Sequence, residues 1–184
     1  MSNSLPRIIK TFSDNKEKGL MPTGKNGIRF VFDDFVHIAV SYSTAELKSG
    51  KTIAAGAASI YADGDFATDS QIGISPRGPA AELAAALSAI NLFPRERKIC
   101  VYSQSSYLID AFRKGWIEKW KLNNWKKDSV TTIRNADIWK ELYRANRERS
   151  ITWLKADKKL VAETKAAAHA KALDRKKSIE NSSR

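Results

Sequence analysis

Residue types able to do chemistry are unevenly spread along this 184-residue chain. Acids stand as Asp33 and Asp34 in "FVFDDF", as Asp63, Asp65 and Asp69 around an Asp-Gly pair, and as Glu82 in "AAELAAAL". Hydroxyls gather in "SQSSYL", where Ser103, Ser105 and Ser106 flank Gln104. Grouped carboxylates would hold a hard divalent cation, and an activated hydroxyl would act as a nucleophile. No histidine lies near the serines to take a proton. His37 and His169 are far apart with no ligand spacing around them, so no zinc site is read. Asp63, Asp65 and Asp69 read as turn and edge residues, and Glu82 alone reads equally well as a charge at the positive end of a helix. "PTGKNG" has the Gly-Lys pair of a phosphate loop but lacks the full pattern and a preceding strand. Cys100, in the apolar run "KICVY", reads as a reduced, buried small hydrophobe.

A different chemistry sits in "AFRKGWIEKWKLNNWKK", residues 111–127, where Trp116, Trp120 and Trp125 alternate with Arg113, Lys114, Lys119, Lys121, Lys126 and Lys127. Trp116 and Trp120 are four apart, so they share a helix face and pack inward while the lysines fan outward. The chain carries 32 Lys and Arg against 20 Asp and Glu, a net +12 that favours a polyanionic partner. Nucleic acid comes first and an anionic membrane second. The membrane reading fails on "KKLVAETKAAAHAKALDRKK", whose apolar side is mostly alanine and lacks residues large enough to insert. The N-terminus has no apolar core of the secretory kind, and no run approaches the length of a membrane span. The simplest location is intracellular, with the compartment left open.

These residues need a scaffold. Residues 1–25 read as a flexible polar arm, 26–177 as one domain and 178–184 as a disordered tail. "IRFVFDDFVHIAVSYS", "KTIAAGAASIYADG" and "DFATDSQIGI" are rich in strand formers, the last two forming a hairpin across the Asp-Gly pair. The small residues Ala54 to Ala58 predict a central strand with something pressed closely upon it. "SPRGPAAELAAALSAINLFP" is a helix, with Pro79 in its first turn and Leu83, Leu87 and Ile90 on one face. "KICVYS" is a fourth strand. "QSSYLIDAFRKG" is a helix stopped at Gly115, and "WIEKWKLNNW" a short second one. "NADIWKELYRANRER" is a third, with Asn135 at its N-cap; "SITWLKA" is a last strand, and an Ala-rich basic helix closes the chain. The fold class is α/β, a mixed five-stranded sheet in the order β-β-β-α-β-α-β-α with helices on both faces and a basic helical protrusion.

That order, with "AELAAALSAI", "SSYLIDAFRKGWIEKWKLNNWKK", "IRNADIWKEL" and "ITWLKA" in succession, resembles ribonuclease H of the type that cuts RNA in RNA/DNA hybrids. The strings cover roughly residues 36–175. The resemblance implies two-metal phosphodiester hydrolysis, with Mg²⁺ or Mn²⁺ held about 4 Å apart by four acids. Position by position, Ser41 in "AVSYS" stands where the first acid belongs. Glu82 retains the second, and Gln104 in "SQSSYL" occupies the third. Ala167 falls at the fourth, and Asp157 stands where the family has a mobile histidine. Asp34 is a rival for the first acid, but it leaves one strand too many before the first helix. Replacing three carboxylates takes the site from about −4 to about −1, which removes most of the Coulomb attraction for two divalent cations.

The expected function is therefore a catalytically silent ribonuclease H-like domain that binds RNA or an RNA/DNA hybrid, with no metal and no cofactor. Binding would run through Ser105, Ser106, Lys119, Lys121, Lys126, Lys127 and Asn135, helped by Lys165, Lys171, Arg175, Lys176 and Lys177 of the last helix. A viral or retroelement origin is consistent with such silent copies. Two rival readings stand beside it. One is an active, metal-dependent ribonuclease H, and the other an RNA-associated scaffold for a protein partner.

Overall fold

The computed structural model describes residues 35–62, 65–73 and 78–182. The polar arm, Asp33 and Asp34, the Gly-Lys motif and Asp63 lie outside the described residues.

β1 (Phe35–Glu46), β2 (Thr52–Ala62) and β3 (Asp65–Gly73) form an antiparallel meander. α1 (Gly78–Asn91) leads to β4 (Lys98–Ser103), which pairs parallel to β1. Three helices follow, α2 (Ser106–Arg113), α3 (Trp116–Leu122) and α4 (Ala136–Glu148). β5 (Ile151–Lys155) then pairs parallel to β4, and α5 (Ala162–Ser182) ends the described chain. The sheet order is β3-β2-β1-β4-β5, the five-stranded mixed architecture that the sequence predicts.

Successive side chains of a strand point to opposite faces, so the register identifies which helix covers which face. Tyr42 pairs with Gly56, and a Cβ built on Gly56 would overlap the Ala81 carbonyl oxygen of α1. The neighbouring pair, Ser43 and Ala55, faces the other way: Ser43 meets His169 of α5, and Ala55 packs with Ala172. Helices therefore lie on both faces. Gly56 is small where α1 lies against it, and Ala55 is small where α5 does. Ile38, Leu83, Ile90, Ile99, Leu108, Ile109, Trp139 and Leu142 are fully buried and form the centre of the core.

Three local features differ from the sequence reading. α5 continues through Ser182, so residues 178–182, read as part of a tail, are helical; the run "KKSIENS" carries no Gly or Pro to stop it. Glu82 is the fifth residue of α1, past the first turn, and it faces inward rather than capping the dipole. Asn135 occupies the N-cap position of α4, but its backbone is left-handed at φ 59° and its side chain makes no capping bond. Gly115, at φ 67°, does take the left-handed backbone that ends α2.

A candidate nucleic-acid interface and its cleft

β4 stops early. Its last pairing with β1 joins Tyr102 to Ala39, so Ser41 to Thr44 keep β2 on one side and lose their neighbour on the other. A cleft opens there, at the carboxyl ends of two parallel strands, where open α/β sheets form their ligand crevices. Its volume is about 430 Å³, and Ser41, Tyr42, Ser43, Thr44, Glu82, Gln104, Ser105 and Lys165 line it. Three of the four positions carried over from the resemblance, Ser41, Glu82 and Gln104, thus meet in one cleft. Ala167 does not line it; Lys165, half a turn earlier on α5, does.

Glu82 is 3% exposed. Ser103, the last residue of β4, donates its hydroxyl to Oε1 at 2.7 Å, and the Ser105 amide donates back to the Ser103 oxygen at 2.9 Å. Oε2 is buried without a hydrogen-bond partner. Burial pushes the Glu82 carboxyl above its ordinary value; the hydroxyls of Ser103 and Ser105 and the charge of Lys155 offset part of this. Lys155, at the end of β5, donates to the Gln104 carbonyl and, at 2.7 Å, to the Ser106 hydroxyl. Ser105 also caps α2, accepting from the Leu108 amide at 3.3 Å. Ser105 and Ser106 are thus engaged at the start of α2, and Ser103 with Glu82.

Hard divalent cations need several carboxylate oxygens. The cleft supplies one carboxylate, already bonded to Ser103, and an ammonium group. Among the described residues no group of three or more His, Cys, Asp or Glu could hold a metal ion. The residues present do not fit a pair of divalent cations. Asp157 is engaged locally, accepting from the Leu160 amide at 3.0 Å. Asp65 and Asp69 pair with Ala62 and Ala58 along β3, away from the cleft residues of β1.

The basic protrusion is built on aromatic packing. Trp116, Trp120 and Trp125 are half-buried against the core. Trp120 meets Trp139 edge-on at 5.3 Å, and Tyr107 meets Trp139 at 5.2 Å. After α3 the chain turns through left-handed backbone at Asn124 (φ 51°) and Trp125 (φ 61°), the latter an outlier for a bulky residue. The turn is held by Trp125 N–H to the Trp120 carbonyl at 2.6 Å and Ile133 N–H to the Trp125 carbonyl at 2.8 Å. Lys119, Lys126 and Lys127 stand exposed on it. Lys121 is exposed too, but its ammonium lies over the Tyr143 ring at 5.2 Å rather than free of the surface.

Between the protrusion and α1 runs a groove of about 640 Å³, lined by Pro79, Tyr107, Trp120, Lys127, Thr131 to Arg134 and Asn135. Asn135 Nδ2 is buried there without a partner, a donor left open in the groove. Lys127 and Asn135 therefore share one groove, and Ser105 lies in the cleft. The sequence reading placed Lys165 among the phosphate contacts of the last helix but missed its place in the cleft. A register error of two residues on α5 would have been visible only with the Ser59–Thr164 hydroxyl pair, 2.6 Å apart, that fixes this helix on the sheet.

No helix among the described residues is long and apolar enough to cross a membrane. The RNase H family model matches residues 44–173. Ribonuclease H of Caldanaerobacter subterraneus subsp. tengcongensis is 47% identical over 74 residues, which are 40% of this chain and 48% of the relative. Ribonuclease H of Thermoanaerobacter sp. is 42% identical over a stretch of the same length and shares. The matches span about half the length of these curated relatives. Among solved structures, the PFV RNase H domain superposes with a TM-score of 0.57 at 16% identity, over 73% of this chain and 90% of that one. The foamy viral protease-reverse transcriptase in complex with RNA/DNA hybrid gives 0.60 at 10% identity, over 74% of this chain and 20% of that one. The structural likenesses show the fold, and the family match covers well over half of the sequence. The chain belongs to the RNase H family.

Proposed function

We propose that this RNase H-family domain binds RNA or an RNA/DNA hybrid through its basic protrusion and does not cut it. The observation that carries this reading is the cleft itself: one buried carboxylate tied to Ser103, with Ser41, Gln104 and Lys165 at its walls. One carboxylate beside a lysine is too little negative charge to hold two divalent ions. Binding is supported by Lys119 on α3 and Lys126 and Lys127 on the turn after it, by the Trp120–Tyr107 groove with its unpaired Asn135 side-chain amide, and by the net +12. The fold is shared with foamy viral proteins seen with RNA/DNA hybrid and with dsDNA. Such contacts meet phosphates, so affinity would fall with salt and depend little on sequence. The binding unit would be the domain read over residues 26–177, in an intracellular setting.

The active-enzyme reading keeps one observation in its favour, the identity to proteins named ribonuclease H. One experiment separates the two. A labelled hybrid is incubated with the protein in Mg²⁺, in Mn²⁺ and in chelator, and each sample is split between native and denaturing gels. Retardation without cleavage, weakened by salt and by Lys126→Glu/Lys127→Glu, is the expected result. Metal-dependent cutting that disappears in Glu82→Gln would overturn it.

A further inference from the structure

We propose that the cleft beyond β4 holds a backbone phosphate of the bound strand directly, with the Lys165 ammonium supplying the positive charge that divalent cations cannot supply here. This rests on the binding reading above and adds to it the place and the counter-charge of one phosphate.

The donor set is what a phosphodiester needs. Its oxygens only accept hydrogen bonds, and the cleft offers the hydroxyls of Ser41 and Thr44 and the Gln104 amide, while Ser43 is shared with His169 and Ser105 with Glu82 and the Leu108 amide. Ser41 is 8% exposed, so its hydroxyl is part of the wall and not a mobile surface group. Glu82, 3% exposed, also borders the cleft, but its Oε2 is an acceptor that a phosphodiester cannot meet, so the phosphate lies on the Lys165 and hydroxyl side, away from this carboxylate. The charges near the cleft are one carboxylate against two ammonium groups, Lys165 at its wall and Lys155 behind Gln104. An anion is favoured and a second cation is not. α2 begins at this wall with Ser105 as its cap, so the positive end of that helix adds to the same field.

The consequence is a binding site whose metal dependence is inverted. A phosphate held between metal ions leaves when the metal is removed. A phosphate held by Lys165 is indifferent to chelator and loses affinity when Mg²⁺ is added as a competing counterion.

The test uses the full chain and a short fluorescent RNA/DNA hybrid, with affinity measured by anisotropy across a salt series in chelator and again in Mg²⁺. Wild type binds at least as tightly in chelator as in Mg²⁺. Lys165→Glu weakens binding about tenfold and Lys165→Ala lowers the salt slope by about one contact. Gln104→Glu, which adds a negative charge to the wall, weakens binding in the same direction. Lys98→Glu, at the opposite end of β4 from the cleft, serves as the control and leaves affinity within about twofold. Melting curves of each variant show that it is folded. Normal affinity in the folded Lys165 and Gln104 variants, with Lys126→Glu/Lys127→Glu still weakening, would overturn this inference and leave the binding reading standing. Binding that requires a divalent cation would overturn it too. A wild type that binds no hybrid and no duplex RNA would overturn both.

Discussion

The Ser103 hydroxyl donates to Glu82 Oε1 at 2.7 Å, so the one acid left in the cleft is bonded to the end of β4 while its other oxygen stays buried and unpaired. Burial raises the Glu82 carboxyl above its ordinary value of 4.5. An acid with a raised folded value favours folding most when protonated, below 4.5. That contribution is lost as pH rises through the folded value, so at neutral pH and above the buried charge works against stability. Glu82→Gln keeps an acceptor for Ser103 and removes the charge. The variant should melt higher than wild type at pH 8, and the advantage should vanish at pH 4. A melting series across that range checks it.

The proposed failure of the cleft to hold divalent cations has a direct readout. Wild type should give no saturable Mn²⁺ binding by calorimetry. Ser41→Asp/Gln104→Asp restores two carboxylates but leaves Lys165 at the wall, and adding Lys165→Ala removes that opposing charge. Each charge about 4 Å from a divalent ion contributes several kcal/mol even at an effective dielectric near 20. Mn²⁺ binding should therefore be weak in the double variant and at least about tenfold tighter in the triple. The triple variant is also where any hybrid cleavage would first be seen.

Gly56 sets how close α1 can approach the sheet. A Cβ there would overlap the Ala81 carbonyl oxygen and lie 2.6 Å from the Ala81 carbonyl carbon and 3.1 Å from the Ala85 Cβ. The obstruction is backbone, which cannot rotate away. Gly56→Ala should cost about 3 kcal/mol and lower Tm by roughly 6–12 °C. Because α1 carries Glu82, the cleft would shift with it. Thermal melting gives the first value, and the Lys165-dependent share of hybrid affinity reports the second.

How much of this was legible in the sequence depends on range. The alanines of β2 announced close packing, and Trp116 and Trp120 announced an inward helix face, because both signals are local. Ser41, Glu82 and Gln104 could be brought to one site only through the family resemblance, since their meeting depends on sheet register. The fourth position went astray for the same reason. α5 lies on β1, β2 and β3 through contacts distant in sequence, such as Ser59 with Thr164, so counting forward from Trp153 reached Ala167 while the helix presents Lys165. Asn135 does stand at the N-cap position that its type suggested, but its left-handed backbone leaves its side chain without a capping bond, which residue type alone does not reveal.

Tyr107 links the core to the groove. Its hydroxyl accepts from Trp139 Nε1 at 2.8 Å and donates to the Arg134 carbonyl at 3.2 Å, next to Asn135. Trp139 is fully buried, so Tyr107→Phe strands an indole N–H. The cost should be about 1–3 kcal/mol, read from urea unfolding. Freed from Tyr107, the Arg134 segment should also bind hybrid less well, with the salt slope unchanged because no charge is lost.

Asp128 fixes the turn that presents Lys126 and Lys127. Its Oδ1 accepts from the Val130 amide at 3.0 Å and the Thr131 amide at 2.7 Å, while Lys127 N–H donates to the Thr131 carbonyl at 2.7 Å. The backbone bonds to Thr131 and Val130, aided by the Thr131 side chain and the charge of Lys127, hold its carboxyl below the ordinary 3.8. A lowered acid contributes order that is present above 3.8 and lost as pH falls through the folded value. The Val130 and Thr131 amides should thus be protected from hydrogen exchange at pH 6, with the protection failing at lower pH once Asp128 is protonated. Asp128→Ala should lose that protection at pH 6, and Asp128→Asn, which keeps an acceptor, should retain part of it. In Asp128→Ala hybrid affinity should drop even though the protein has become one charge more basic. A loss of affinity on gaining positive charge would separate the ordering of the two lysines from their charge alone.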